Sequence, residues 1–172
     1  MRQLHTTNVA VAKTRHRRIH LRRTNVMARL EPGPDGDRIL NVDGVVGPST
    51  GAASDVIAVQ ALLKYYTQLL RKWTSQRIPD PNGILDAATK QAIRDYQAFE
   101  RRNNSARWVA LDGKISPFRR GVQLLAKQEY TIVQLNLDCG LLGAALGEDY
   151  IEGMIRRFPA LAVALGRLPQ FL

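Results

Sequence analysis

Val42-Asp43-Gly44-Val45-Val46-Gly47-Pro48 opens a stretch, residues 39–126, that repeats one pattern three times. Each copy begins with an Asp-Gly or Asn-Gly turn and leads into an apolar helical stripe with a Gln in or near it. The later turns are Asn82-Gly83-Ile84-Leu85-Asp86 and Leu111-Asp112-Gly113-Lys114-Ile115-Ser116-Pro117, and the three stripes are residues 55–63, 92–99 and 122–125.

Each copy of the pattern has a physical interpretation. Gly after Asp or Asn supplies the positive-φ position of a tight turn. Asp86 or Ser116 can cap the following helix, and Pro117 suits a first helical position. Repeated turn-then-helix units usually bury one shared core between their helix faces. The sequence therefore predicts a mainly α fold, a small three-helix bundle with helices at residues 54–73, 87–101 and 118–126.

The same stretch resembles the peptidoglycan-binding domain found beside many cell-wall hydrolases. That family combines a V-Q-x-L-L helix end, a D-G-x-F-G-x-x-T-x-x-A-V-x-x-F-Q segment and a V-D-G-x-V-G-P turn. The resemblance covers roughly residues 42–126, with Asp86 and Ser116 at usual glycine positions, Asn82 for Asp and Tyr96 for Phe. The matching residues are Val59-Gln60-Ala61-Leu62-Leu63, then residues 82–89 with Ala92-Ile93 and Tyr96-Gln97, then residues 111–117.

The resemblance implies a glycan-binding face built from the second and third turns. It places peptidoglycan contacts at Gln60, Asn82, Gly83, Tyr96, Gln97, Asp112 and Gly113. A second interpretation of the same residues is structural. Tyr96 and the Gln side chains would then be core-edge groups that hydrogen-bond the turns, and Asn82 and Asp112 would be turn-formers.

A basic arm precedes this stretch. The net charge of the chain is +10, and residues 1–30 carry eight Arg or Lys and no acid. Such a block is typical of a solvated tail or of a partner-docking arm, which would use Arg15, Arg17, Arg18, Arg22 and Arg23. Nucleic acid is a less favoured partner, because no recognition helix or aromatic stacking platform accompanies the arm. Residues 18–22 and 25–30 suit short extended segments, and residues 31–37 read as a turn or linker.

Residues 127–172 form a C-terminal docking extension beyond the resemblance. Residues 130–137 suit either a strand or a helix, and Asp138-Cys139-Gly140 and Gly147 are predicted to break the chain. A helix is predicted at residues 148–158, ending before Pro159. The tail, residues 160–172, is apolar apart from Arg167, so we expect it to pack on the domain or on another protein. The predicted organisation is an arm and linker (1–38), a peptidoglycan-binding-like domain (39–126) and this extension.

Several function classes are disfavoured by the residues available. The lone Cys139 excludes an internal disulfide, and the histidines, His5, His16 and His20, all lie in the arm without metal-ligand spacing. Glu148, Asp149 and Glu152 are better explained by the dipole of a helix start than by glycosidase chemistry. We therefore expect no enzyme, no cofactor and no metal. No secretory signal and no membrane-spanning run are recognised in the sequence.

These observations predict a non-catalytic module within a larger assembly, made in the cytoplasm and acting at the cell wall. A phage tail or contractile injection apparatus would carry such a module to the wall. Its partners would be other protein subunits and peptidoglycan. The alternative is a purely structural subunit that uses the fold for protein docking, with the basic arm on a partner or on nucleic acid.

Overall fold

The computed structural model describes residues 27–68, 77–104, 108–122, 124 and 128–167. This part of the chain is mainly helical, as predicted, with a small two-stranded sheet. None of its helices is long and apolar enough to cross a membrane. In chain order the elements are β1 (Arg29–Pro32), β2 (Arg38–Asn41), α1 (Ala53–Tyr66), α2 (Ala87–Asn103), α3 (Thr131–Leu146), α4 (Tyr150–Arg157) and α5 (Pro159–Ala164).

The predicted linker after the arm is the turn of a β-hairpin. β1 pairs antiparallel with β2, with Leu30 opposite Leu40. Gly33 N donates to Asp37 O at 2.7 Å and closes the connection. The hairpin is fixed to the helices by Asn136 of α3, whose amide exchanges two hydrogen bonds with the backbone of Leu40, at 2.8 and 3.0 Å. The strand predicted at residues 18–22 lies outside the described residues.

Helix α1 is the centre of the core. It packs against β2 and against all the other helices of the described chain. Its buried residues lie on nearly every side of the helix, among them Val56, Val59, Leu62 and Leu63. The sequence predicts this helix at residues 54–73, whereas α1 ends at Tyr66 with Thr67 as its C-cap, and residues 69–76 lie outside the described part.

Helix α2 follows its sequence prediction closely. It spans Ala87–Asn103 against a predicted 87–101. The predicted cap is confirmed, because the Asp86 carboxylate accepts a hydrogen bond from Thr89 N at 2.7 Å. The pKa of Asp86 is lowered by this backbone bond and by the Thr89 hydroxyl. A charged acceptor at this position satisfies a free N–H of the first turn.

The third helix predicted at residues 118–126 is wrong in its described part. Residues 116–122 contain no helix, and residues 123 and 125–127 lie outside the description. Gly121 has φ of +79°, and Val122 N donates to Arg119 O in a turn. Phe118 is nevertheless buried, and its backbone is held in place because its N–H donates to Asn41 Oδ1 at 3.0 Å.

Residues 130–137, for which the sequence suits either a strand or a helix, are helical from Thr131 onward. α3 spans Thr131–Leu146 and runs through Asp138-Cys139-Gly140, where a break was predicted. Packing explains the continuity, since Cys139 is completely buried and its thiol donates to Leu62 O of α1. The predicted break at Gly147 is confirmed, because Gly147 is the left-handed C-cap, with φ of 71°.

The C-terminal residues belong to the same core as the repeat region. α4 starts where Asp149 accepts hydrogen bonds from Ile151 N and Glu152 N, and it ends before Pro159 as predicted. Pro159 then begins α5, which packs on α1 through Leu161, which is completely buried. The described part of the apolar tail is therefore packed on this chain. Residues 168–172 lie outside the description.

Candidate functional site

The second turn is held by a glutamine from the middle of α1. Gln60 is completely buried, and its Oε1 accepts hydrogen bonds from Asn82 N at 3.0 Å and Gly83 N at 3.1 Å. Its Nε2 lies within 2.9–3.1 Å of Asn82 Oδ1, Ile84 O and Thr89 Oγ1. We call this arrangement of one glutamine around one Gly turn a turn clamp.

The third turn is held by a second turn clamp. Gln97, in the middle of α2, accepts from Gly113 N at 2.8 Å. Its Nε2 donates to Asp112 Oδ1, Lys114 O and Thr131 Oγ1, at 3.1, 2.9 and 3.4 Å. The Asp112 carboxylate also accepts from Lys114 N, as Asn82 does from Ile84 N in the second turn. The sequence repeat is therefore a repeat of hydrogen-bonding geometry as well.

The first turn uses a carboxylate where the others use an amide. Asp55, in the first turn of α1, accepts from Asp43 N at 3.1 Å and Gly44 N at 2.9 Å. Its side chain is completely buried. The first and third turns are joined next to these bonds, because Val46 and Ile115 exchange two backbone hydrogen bonds of 2.9 and 2.7 Å.

Burial divides the seven predicted glycan contacts into two groups. Gln60, Tyr96 and Gln97 are completely buried, and the Tyr96 hydroxyl donates to Asp138 of α3. Gln60 and Gln97 hydrogen-bond the turns, as the structural interpretation of the sequence predicts, whereas the Tyr96 hydroxyl bonds α3. Gly113 is also buried and Gly83 is half-buried, with φ of 67° and 76°. The exposed members are Asn82 and Asp112.

A small polar cleft lies beside the third turn. It encloses about 100 Å³ and is lined by Asp112, Lys114, Glu129 and Thr131 among others. It brings both charge signs and a hydroxyl next to the turn that Gln97 holds. Sequence analysis did not identify Lys114 or Glu129, because they come from segments that are separated along the chain and carry no shared motif.

We compared the chain with known proteins by sequence and by structure. No protein family, curated protein or solved structure matches it.

A pair of acidic side chains lies at the contact between α2 and α3. Burial first, and the neighbouring Asp138 carboxylate second, raise the pKa of Glu100 to about 7. Burial also raises the pKa of Asp138, although hydrogen bonds from Tyr96 and Gln134 oppose that shift. Tyr66 of α1 faces the same cluster. Below neutral pH, Glu100 is therefore protonated in the folded protein.

Because Glu100 binds its proton more tightly in the folded protein than in the unfolded chain, the free energy of unfolding depends on pH. The unfolded chain releases the Glu100 proton near 4.5, and the folded protein holds it up to about pH 7. Because unfolding then releases a proton, stability falls by about 2–3 kcal/mol as pH rises across this interval. We expect Glu100→Gln to flatten this dependence and to stabilise the protein at pH 8, measured by urea unfolding from pH 5 to pH 8. The exposed Asp35→Asn is the control, and an unchanged slope in Glu100→Gln would contradict the assignment.

The other predicted site residues belong to the N-terminal arm. The arm arginines, Arg15, Arg17, Arg18, Arg22 and Arg23, and the three histidines lie outside the described residues. Within the described part, no group of three or more His, Cys, Asp or Glu is placed to hold a metal ion. Burial and the nearby Asp138 raise the pKa of the Cys139 thiol, so this cysteine is a buried apolar group.

Proposed function

We propose that this chain is a non-catalytic peptidoglycan-binding-like module of a multi-protein assembly, with a phage tail or contractile injection apparatus as the favoured setting. One observation carries the proposal. The two turns at which the sequence resembles the wall-binding family are both held by turn clamps, around Gly83 and Gly113. Rigid turns on a helical core are a suitable frame for polar ligand contacts.

Within this proposal the glycan meets the exposed side of the two turns. Asn82 and Asp112 offer polar groups there, and Lys114 and Glu129 add charge at the polar cleft. Exposed aliphatic side chains adjoin the turns, with Ile84 at 62% and Leu111 at 59% exposure. Polar groups beside an apolar surface are the combination that sugar rings and short peptides require. The buried Gln60 and Gln97 then act as positioning residues.

Co-sedimentation with purified peptidoglycan sacculi tests the proposal. The turn variant, Leu111→Ser with Lys114→Ala, removes one aliphatic and one basic side chain at the third turn. Its matched control is Val163→Ser with Arg102→Ala, two exposed residues on other elements. We expect the turn variant to bind about ten-fold more weakly at high salt, corresponding to about 1.4 kcal/mol, and the control to bind as the wild type does.

An arm variant of reduced positive charge separates recognition from simple electrostatics. It replaces the five arm arginines, Arg15, Arg17, Arg18, Arg22 and Arg23, by serine. Electrostatic attraction to an anionic wall is screened by salt. Binding that is lost with the arm charges or with salt, yet survives in the turn variant, would contradict a glycan site at the turns.

A structural subunit is the second candidate function. Exposed aliphatic side chains on the C-terminal helices favour it, with Val163 at 62% and Leu146 at 46% exposure. Such residues are suited to contact a neighbouring subunit. In this case the wild-type chain does not sediment with sacculi at any salt concentration.

A further inference from the structure

A second and larger surface feature involves none of the residues that the turn clamps hold. It is a groove between the β-hairpin and α3, with Tyr150 also in its lining, and its volume is about 470 Å³. We call it the hairpin groove. Its lining includes Asp37, Ile39, Leu137 and Leu141, and its volume is in the range of ligand-binding clefts.

The hairpin groove has an aliphatic surface that is open to water. Leu137 and Leu141 are 36% and 73% exposed, and they lie four residues apart on the same face of α3. The Tyr150 hydroxyl is already engaged, since the acceptors Arg38 O and Asn136 Oδ1 lie 3.0 and 2.8 Å from it and share its one proton. The open surface of the groove therefore favours apolar side chains over further polar ones.

The charges around the groove favour a cation. Asp37 and Asp138 line it, and of these the exposed Asp37 is the more available to a cation, because the Asp138 carboxylate already accepts from the Tyr96 hydroxyl and from Gln134 Nε2. The one basic lining residue, Arg38, donates to Asp149 at 3.1 Å and to Glu152 at 3.5 Å. A ligand with aliphatic side chains and flanking positive charge would complement both the apolar surface and the acidic residues.

We propose that the hairpin groove binds the segment Arg18-Ile19-His20-Leu21-Arg22 of the same chain. This segment lies outside the described residues, and its sequence has the required chemistry. In an extended conformation, Ile19 and Leu21 project to one side, and Arg18 and Arg22 project to the other, from which their long side chains can reach charges at the rim of the groove. The inference is independent of the proposed wall-binding function.

Charge and chain length support the arm as the occupant. The described residues hold all 15 acidic side chains and 14 of the 25 basic ones, a net charge of −1. Residues 1–26 carry seven basic side chains and no acid. The six peptide units between Leu21 and Met27 can span about 20 Å, and the four-residue β1 that follows spans only about 10 Å. The arm is therefore long enough to run back along β1. A tethered segment also acts at high effective concentration.

Disulfide trapping in the full-length chain tests the proposal. Leu21→Cys is combined with Leu141→Cys on the groove, while the buried native Cys139 is kept. The control pairs Leu21→Cys with Val163→Cys, on an equally exposed residue of α5. A disulfide requires the two Cα atoms to come within about 7 Å, so we expect intramolecular cross-linking at least about five-fold faster for the groove pair.

Four readouts decide the outcome. Replacing Arg18 and Arg22 by glutamate in the groove pair should slow the cross-link, and so should high salt, because both weaken the attraction to the acidic residues. Equal rates for the groove and control pairs would overturn the proposal. Disulfide-linked dimers as the main product would also overturn it, because they would assign the groove to the arm of a second copy.

Discussion

Replacement of Gln60 by alanine is expected to lower the free energy of unfolding by about 3 kcal/mol. The amide group of Gln60 is completely buried and bonds four polar groups of the second turn and Thr89 of α2. Alanine leaves the N–H groups of Asn82 and Gly83 without this acceptor. Each buried polar group left unpaired costs about 1–3 kcal/mol, and the lost side-chain packing adds to this.

Chemical denaturation of the wild type and the variant measures this loss. Gln68→Ala is the matched control, because Gln68 lies exposed just after α1 and its replacement should change stability by no more than about 0.5 kcal/mol. Gln97→Ala should behave like Gln60→Ala, since it opens the equivalent clamp on the third turn. A loss below about 1 kcal/mol in both clamp variants would mean that the turns hold their shape without the glutamines.

The sequence predicted the parts of the fold that depend on neighbouring residues. The positive φ of Gly83 and Gly113, the Asp86 cap and the extent of α2 are properties of a few adjacent residues, and they were predicted correctly. The same prediction was wrong for Gly44, which does not have a positive φ in the first turn. The bounds of α1 were less accurate at its C-terminal end. The mainly helical character was also predicted correctly, because the apolar periodicity that indicates a helix lies within that one segment of the sequence.

The errors arose where packing between distant segments decides the conformation. Residues 118–122 have a helical apolar pattern, yet Phe118 is held by Asn41, which is far away in the sequence. The Gly-containing stretch around Cys139 looks like a break, yet it stays helical because that thiol and its neighbours are buried against α1. Local propensity is a weak prior that such contacts override.

The candidate site was predictable as turns but not as a surface. Sequence pattern identified Asn82-Gly83 and Asp112-Gly113 together with both glutamines. It could not decide which side chains face outward, because that depends on how α1 and α2 are rotated in the core. The pair Glu100 and Asp138 had no sequence signal at all, because it forms only when α2 packs against α3.

A second large effect is expected from Gly143→Ala in α3, a loss of about 2–3 kcal/mol. A Cβ at position 143 would lie 2.8 Å from Glu148 O and 2.8 Å from Tyr150 Cβ. Two of the three atoms nearest to this Cβ, Glu148 O and Tyr150 N, are backbone atoms where the chain enters α4. The clash can therefore be relieved only if α4 moves. Alanine is otherwise the better helix former, which makes a destabilising result specific to this close approach.

Gly140→Ala in the same helix provides the matched control and should have the opposite sign. There a Cβ would meet the Tyr150 ring at 3.9 Å, an ordinary van der Waals distance. The substitution removes backbone entropy from the unfolded chain and should therefore stabilise the protein by about 0.5–1 kcal/mol. Urea unfolding of both variants measures the two signs. If both substitutions stabilise the protein, α4 does not pack against α3 at Gly143. The contribution of Tyr150 to the lining of the hairpin groove would then be lost with that contact.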